Sequence, residues 1–291
     1  MKNFLTVALV FVTATGCSCF KNAFAKSHLK TVSDNVLYSI VVMAVSALVL
    51  AFFGGIRPVS PMTMALSVVF GILVAAEQIV GNEALKRGPM SLTNLVADGG
   101  LILTVIFACT VCGEKLTAIR AVGIVLMLLS MGLICNPKAD KKVTTVWVAL
   151  AAALFVLCGV LGIIQKMLAM SGHSDEIYGF LFYNFLVGVA VTAVYLLFLV
   201  KVQRTPVTVD LSDLGNHVTG SALLSGLCNA GLHISTMLAV DALPATVAFP
   251  IVDGGKLFFL TLADVLFFHQ KLTRIQRLGI VLAGVAIVIL A

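Results

Sequence analysis

Two acids stand where acids are least expected in this 291-residue chain. Asp98 and Asp253 each fall inside a long apolar segment, and each is followed by a glycine pair, Gly99-Gly100 and Gly254-Gly255. A charge near the centre of a bilayer costs several kcal/mol, with estimates from roughly 3 to over 10, so an acid kept there has either a partner or a task. Low dielectric penalises the charged carboxylate, which suits such a group to proton exchange or to binding a cation. The adjacent glycines let a neighbouring helix or a ligand approach the backbone. The plainer alternative is that each Asp hydrogen-bonds a neighbouring helix and only fixes packing. Lys256 follows Asp253 by three residues on the same helical face, where it can pair with that carboxylate or receive the carboxylate of a substrate. Asp98 has Leu101 at the matching place and is the better candidate for reversible protonation. Asp264 continues the stripe towards a helix end, within reach of water.

Other polar side chains join these candidates. Gln78 and His233 occupy equivalent positions of an internal repeat described below, and Glu77 sits beside Gln78 opposite Leu232. Asn94 lies one turn before Asp98 and can hydrogen-bond it. Tyr38, Tyr183 and Asn184 can add polar contacts, although aromatic belts at the membrane interface account equally for the tyrosines. A buried His is as often a packing residue as a ligand. The expected substrate-binding set is therefore Glu77, Gln78, Asn94, Asp98, His233, Asp253 and Lys256, with Tyr38, Tyr183 and Asn184.

The elements that hold these residues follow from composition. Sixty per cent of the residues are hydrophobic, 11% are charged, and the mean hydropathy is +1.11. Soluble domains carry roughly 25% charge because their surface faces water. Apolar segments fall at 4–24, 34–54, 62–86, 89–111, 117–136, 143–171, 176–200, 217–241, 244–268 and 272–291, each about the 20 residues that cross a ~30 Å hydrocarbon core. Backbone groups in lipid must be satisfied within their own segment, so these are helices. A β-barrel would need alternating segments of about 10 residues, which the sequence lacks. The start, with Lys2, an apolar run and Ala14-Thr15-Gly16-Cys17, resembles a lipoprotein signal peptide. The first apolar stretch nevertheless has a counterpart in the second half, and it is expected to be a retained helix.

The internal repeat organises the chain. Residues 84–100, ALKRGPMSLTNLVADGG, align without a gap on 239–255, AVDALPATVAFPIVDGG, pairing Pro89 with Pro244 and Asp98 with Asp253. After one inserted residue, GEKLTAIRAVGIVL from Gly113 aligns with HQKLTRIQRLGIVL from His269. Lys21 aligns with Lys166 and Tyr38 with Tyr183. The expected architecture is all-α, with ten transmembrane helices in two five-helix repeats, residues 1–138 and 139–291. Five is odd, so the second repeat enters the bilayer from the opposite side, an inverted topology characteristic of secondary transporters. That link to function is an analogy at the level of fold.

The pattern of a fourth helix, then Gly-Glu-Lys-Leu-Thr, then a Gly-rich fifth helix resembles the drug/metabolite transporter superfamily of EamA type, over essentially the whole chain. The resemblance implies a secondary carrier or exporter of amino acids, other metabolites or cationic compounds, and says little about which. The second copy has His269-Gln270 where Gly-Glu is expected, so Glu114 has no acidic twin and its role is expected at the loop.

Other classes leave fewer traces. No nucleophile–base pair or metal constellation is visible, so an enzyme is not expected. Cys109 and Cys112 have CxxC spacing with no second pair or nearby His, and neither a metal nor a disulfide framework is expected among the seven cysteines. No GxxxxGK[ST] loop is present, and no cofactor is expected. The net charge of +6 reflects basic loops rather than a nucleic-acid surface. The expected partners are a small-molecule substrate, protons and the lipid bilayer of the cell membrane. A lipid-linked sugar or lipid flippase of the same fold is the alternative, and a wide opening between helices would mark it. Lys26, Lys30, Lys86, Arg87, Lys138, Lys141 and Lys142, among others, fall on the side opposite the termini, so the positive-inside rule puts both termini outside, whereas the resemblance puts them in the cytoplasm.

Overall fold

The computed structural model describes residues 6–17, 20, 31–88, 90–135, 144–208, 217–268 and 272–290, and regular structure among them is entirely helical. Eleven α-helices are described: α1 (Thr6–Cys17), α2 (Val32–Gly54), α3 (Pro61–Arg87), α4 (Met90–Asp98), α5 (Leu101–Thr110), α6 (Ala118–Cys135), α7 (Thr145–Met170), α8 (Ile177–Lys201), α9 (His217–Ala242), α10 (Ala245–Phe268) and α11 (Arg274–Leu290). A single 3-10 turn, Ser174–Glu176, precedes α8. Seven segments among the described residues are long and apolar enough to cross a membrane: 32–54, 61–84, 92–110, 118–135, 145–170, 174–201 and 219–242. Large apolar side chains lie exposed on them, among them Phe52, Leu48 and Val194. Such a surface is costly in water and ordinary in lipid.

Helix starts follow the local sequence. Thr31 and Asp34 form a reciprocal capping box at the head of α2, and Thr144 caps α7 by accepting from the Trp147 amide. Pro61 opens α3 at a position where its missing N–H costs nothing. One expected segment differs: 89–111 is two helices, because the chain steps through Gly99-Gly100 between α4 and α5.

The chain divides into two compact units that each take residues from both sequence repeats. One comprises residues 12–75 and 172–235. In it α2 packs along α8, antiparallel, with Gly54 beside Tyr178 at one end and the Ser33 hydroxyl donating to the Thr205 carbonyl, 2.9 Å, at the other. Met43 and Gly188, which align at the same spacing as Tyr38 and Tyr183, touch each other midway. α9 joins α2 through the Ser46 hydroxyl, which donates to the Val42 and Gly226 carbonyls at 2.8 and 2.9 Å and accepts from Asn229 Nδ2 at 3.0 Å. The Asp34 carboxylate accepts from the amide and hydroxyl of Thr208, both at 2.7 Å, and so holds the chain that leaves α8.

The other unit comprises residues 1–11, 76–171 and 236–291. Here α7 packs on α4 and α5, while α10 lies against α5, α6 and α11. Trp147 closes one end by covering Gly88 and donating from Nε1 to the Thr93 hydroxyl at 2.9 Å. Its most extensive seam is α6 against α11. A Cβ on Gly123 would lie 2.8 Å from the Leu290 side chain, and one on Gly279 would lie 2.9 Å from the Ile134 amide nitrogen. The two contacts interchange when Gly123 is swapped for its repeat partner Gly279 and Ile134 for Leu290. The pair is therefore antiparallel and reciprocal.

Filling that seam should destabilise the protein. Gly123→Leu or Gly279→Leu is expected to lower stability by about 1–3 kcal/mol, the usual cost of overpacking. Gly132→Leu, on the same helix with open space around it, is expected to be near neutral. Thermal unfolding in detergent measures all three.

Candidate functional site

The second unit gathers the acids. Glu77 comes from the last turns of α3, Asp98 is the final residue of α4, and Asp253 and Lys256 lie on α10. Asp98 is within electrostatic reach of Lys256, Asp253 and Glu77, and Cys158 of α7 is within reach of all four. Asp98 thus lies near two further carboxylates and one ammonium group. The direct ion pair is Asp253 Oδ1 to Lys256 Nζ at 2.8 Å, with side chains 21% and 33% exposed. This is the first of the two alternatives open for Lys256. Asp98, with Leu101 at the matching place on its own side of the repeat, is reached by Lys256 through space from another helix, and among the described residues no ion pair joins them. A cation from α10 does for α4 what no residue on α4 itself can do.

The backbone beside Asp98 is irregular. The Gly100 amide donates to Ala97, Ile102 to Gly99 and Leu103 to Gly100, all three residues back rather than four. Such tight steps inside an apolar helix often mark functional hinges. Gly100 is required by proximity, since a Cβ there would lie 2.6 Å from the Phe155 carbonyl oxygen and 2.8 Å from the Gly159 nitrogen of α7. Gly255, its repeat partner, faces the ring of Phe11 on α1, and that ring stacks on Phe259 at 4.5 Å. Each Asp-Gly-Gly is thus met by the opening helix of the opposite repeat. α10 has no matching break, but Pro250 removes one amide from it, one turn before Asp253.

The remaining expected residues fall in different surroundings. Gln78 is half-buried, and its Oε1 has no hydrogen-bond partner among the described residues. Asn94 is exposed, and the expected hydrogen bond to Asp98 is not made among the described residues. Tyr38, Tyr183, Asn184 and His233 belong to the first unit. Tyr38 and Asn184 are buried, the latter 1% exposed with Nδ2 lacking a partner among the described residues. The Tyr183 hydroxyl donates weakly to the Arg57 carbonyl at 3.4 Å, and His233 meets Phe185 edge-on at 5.1 Å. The side chain of Asp264 lies outside the described residues.

A second charged centre surrounds Glu114, which the sequence placed at the loop without its partners. Glu114, in the loop between α5 and α6, accepts from the amides of Ala245 and Thr246 at 2.8 and 3.0 Å and from the Thr246 hydroxyl at 3.1 Å. Lys166, in the last turns of α7, donates to it at 2.9 Å. Burial works to raise the pKa of Glu114, but the amides and the ammonium group outweigh it and hold the carboxyl below its ordinary value. The only sequence signal was the Gly-Glu-Lys-Leu-Thr motif, which named the residue and its loop but not its partners.

No family model and no curated protein matches the chain. A crystal structure of a protein aligns over 99% of this chain and 96% of its own, with a TM-score of 0.75 and 15% identity. At that identity the likeness shows the fold alone.

Two measurements test these charges. Glu114→Gln should lower the unfolding temperature most above about pH 4.5, the ordinary value for Glu. A depressed pKa means that the stabilisation is complete there and is lost as pH falls through the folded-state value, so wild type and variant should converge in acid. Lys256→Gln should destabilise the protein by leaving Asp253 without the ammonium group it pairs with, and adding Asp253→Asn should recover part of the loss. Equal or additive losses in the double variant would count against a shared charge cluster.

Proposed function

We propose that this protein is a secondary transporter that moves a small polar metabolite, amino acid or cationic compound by alternating access, with coupling to protons. The observation that carries the reading is the gathering of Glu77, Asp98, Asp253 and Lys256 from three elements of an apolar, all-helical chain, beside an interruption between α4 and α5. Charged groups at membrane depth are costly and mark substrate or ion paths. Broken helices near the midplane are the usual means by which transporters expose backbone to a ligand.

The reading includes ten membrane-spanning helices in two inverted repeats of EamA type, placed in the cell membrane. Its support is the reciprocity of contacts between repeat partners: Gly123 with Leu290 against Gly279 with Ile134, and Met43 with Gly188. α6 and α11 then serve as scaffold, since neither carries an acid and Gly123 and Gly279 serve close packing between them.

Asp98 is the coupling group in this mechanism. Asp253 is occupied by Lys256 at 2.8 Å, whereas Asp98 feels that cation only through space. A proton and a substrate cation compete for Asp98, and the occupant determines which conformation is favoured. The test begins with a thermal-shift screen against amino acids, amines and quaternary ammonium compounds. Movement of the compound that binds is then followed in proteoliposomes. Asp98→Asn should abolish proton-coupled movement in a folded protein and should harm coupling more than Lys256→Gln does. Unchanged rate and pH dependence in Asp98→Asn would make Asp98 a packing residue. Translocation of a fluorescent lipid with no solute movement would favour the flippase.

A further inference from the structure

We infer that Glu114 is a positioning residue for the Asp253–Lys256 pair, acting by clamping the first turn of α10 so that the helix bends at Pro250 and not at its end. The inference rests on reading that pair as part of the functional site.

α10 begins without a cap of its own. The residues before it are Ala242, Leu243 and Pro244, none of which has a side-chain acceptor, although the first four amides of any helix lack intrahelical partners. Glu114 supplies the missing acceptor from a distant loop, with three bonds of 2.8–3.1 Å onto Ala245 and Thr246. Its negative charge also suits the positive end of the helix. A local cap would move with its helix, whereas a remote cap fixes the helix end relative to other elements. Here those elements are the α5–α6 loop and, through Lys166 at 2.9 Å, α7. Glu114 and Lys166 are 12% and 11% exposed, so water competes little with either. One turn earlier on α7, a Cβ on Gly162 would lie 3.2 Å from the ring of Phe249, so α7 also supports α10 just beyond its first turn, next to Pro250.

Pro250 determines where the remaining freedom lies. It has no amide, so the Thr246 carbonyl loses its partner four residues on, and helices bend at such a place. Thr246 is therefore held by Glu114 through its amide and hydroxyl and released by Pro250 at its carbonyl. Asp253 and Lys256 lie beyond this joint, Asp253 about 12 Å along the axis from the start of the helix. With the first turn immobile, bending at Pro250 becomes displacement of the charged pair. In the repeat alignment Gln270 stands opposite Glu114, so the residue at that place is charged in one repeat only.

The test needs no substrate, so it stands apart from the transport reading. Hydrogen–deuterium exchange of α10 is measured in lipid nanodiscs together with the infrared carboxyl band of Asp253, assigned by its loss in Asp253→Asn. Glu114→Gln should speed exchange at residues 245–249 by roughly ten- to a hundredfold, the scale of a lost charge-assisted bond. It should also shift the Asp253 band, while exchange in α6 stays unchanged. Glu114→Asp should restore both signals at least in part. If Glu114→Gln does not fold, Glu114→Gln with Lys166→Gln removes both charges together and is read in the same way. Unchanged exchange at 245–249, an unmoved Asp253 band, or faster exchange spread evenly over α6, α7 and α10 would overturn the inference. Failure of any compound to move in proteoliposomes, with these signals intact, would overturn only the transport reading.

Discussion

A polar group removed from water must find its partner within the protein, and an apolar chain has few partners to offer. That constraint governs this structure more than any packing preference, because the apolar faces of its helices are equally content against one another and against lipid. With so little charge in the sequence, the few polar side chains that bond between elements are prominent in tying them together. Ser46 binds α2 to α9 through a single hydroxyl with three hydrogen bonds. Asp34 holds the chain leaving α8 through Thr208, and Glu114 holds the head of α10.

The same constraint explains why the candidate site has the composition it does. Carboxylates near one another repel, and a nearby ammonium group relieves the repulsion. Lys256 satisfies Asp253 by contact and influences Asp98 through space. The charge on Asp98 therefore depends on a group from another helix. Beside it the backbone is weakened twice, by the tight step at Gly99-Gly100 and by the missing amide of Pro250. Clustered charge and an irregular backbone thus occur in one place.

The α6–α11 seam lies at the other extreme. Glycines on each helix meet branched side chains on the other in reciprocal contacts, with no charged group involved. The unit therefore contains a close-packed part that resists rearrangement and a polar part that admits it. α10, which touches α6 and α11 on one side and carries Asp253 and Lys256, belongs to both.

Much of this was legible in the sequence, and the reason is that the membrane simplifies the reading. Apolar runs of about 20 residues fix helix positions directly, because lipid allows no other regular structure for an isolated segment. Asp98, Asp253 and Lys256 announced themselves through the cost of placing charge there, and helical spacing put Lys256 within reach of Asp253 as one of two alternatives. The tertiary structure decided what depends on distant partners. The need for glycine at position 100 arises because α7 approaches too closely for a side chain, a fact of packing that no local propensity records. Lys256 reaches Asp98 only because α10 and α4 are brought into the same unit. Glu114 could be named from its motif, but its role lay in amides 131 and 132 residues away. Sequence spacing determines what one helix presents; which helices share a charge is settled only when they pack.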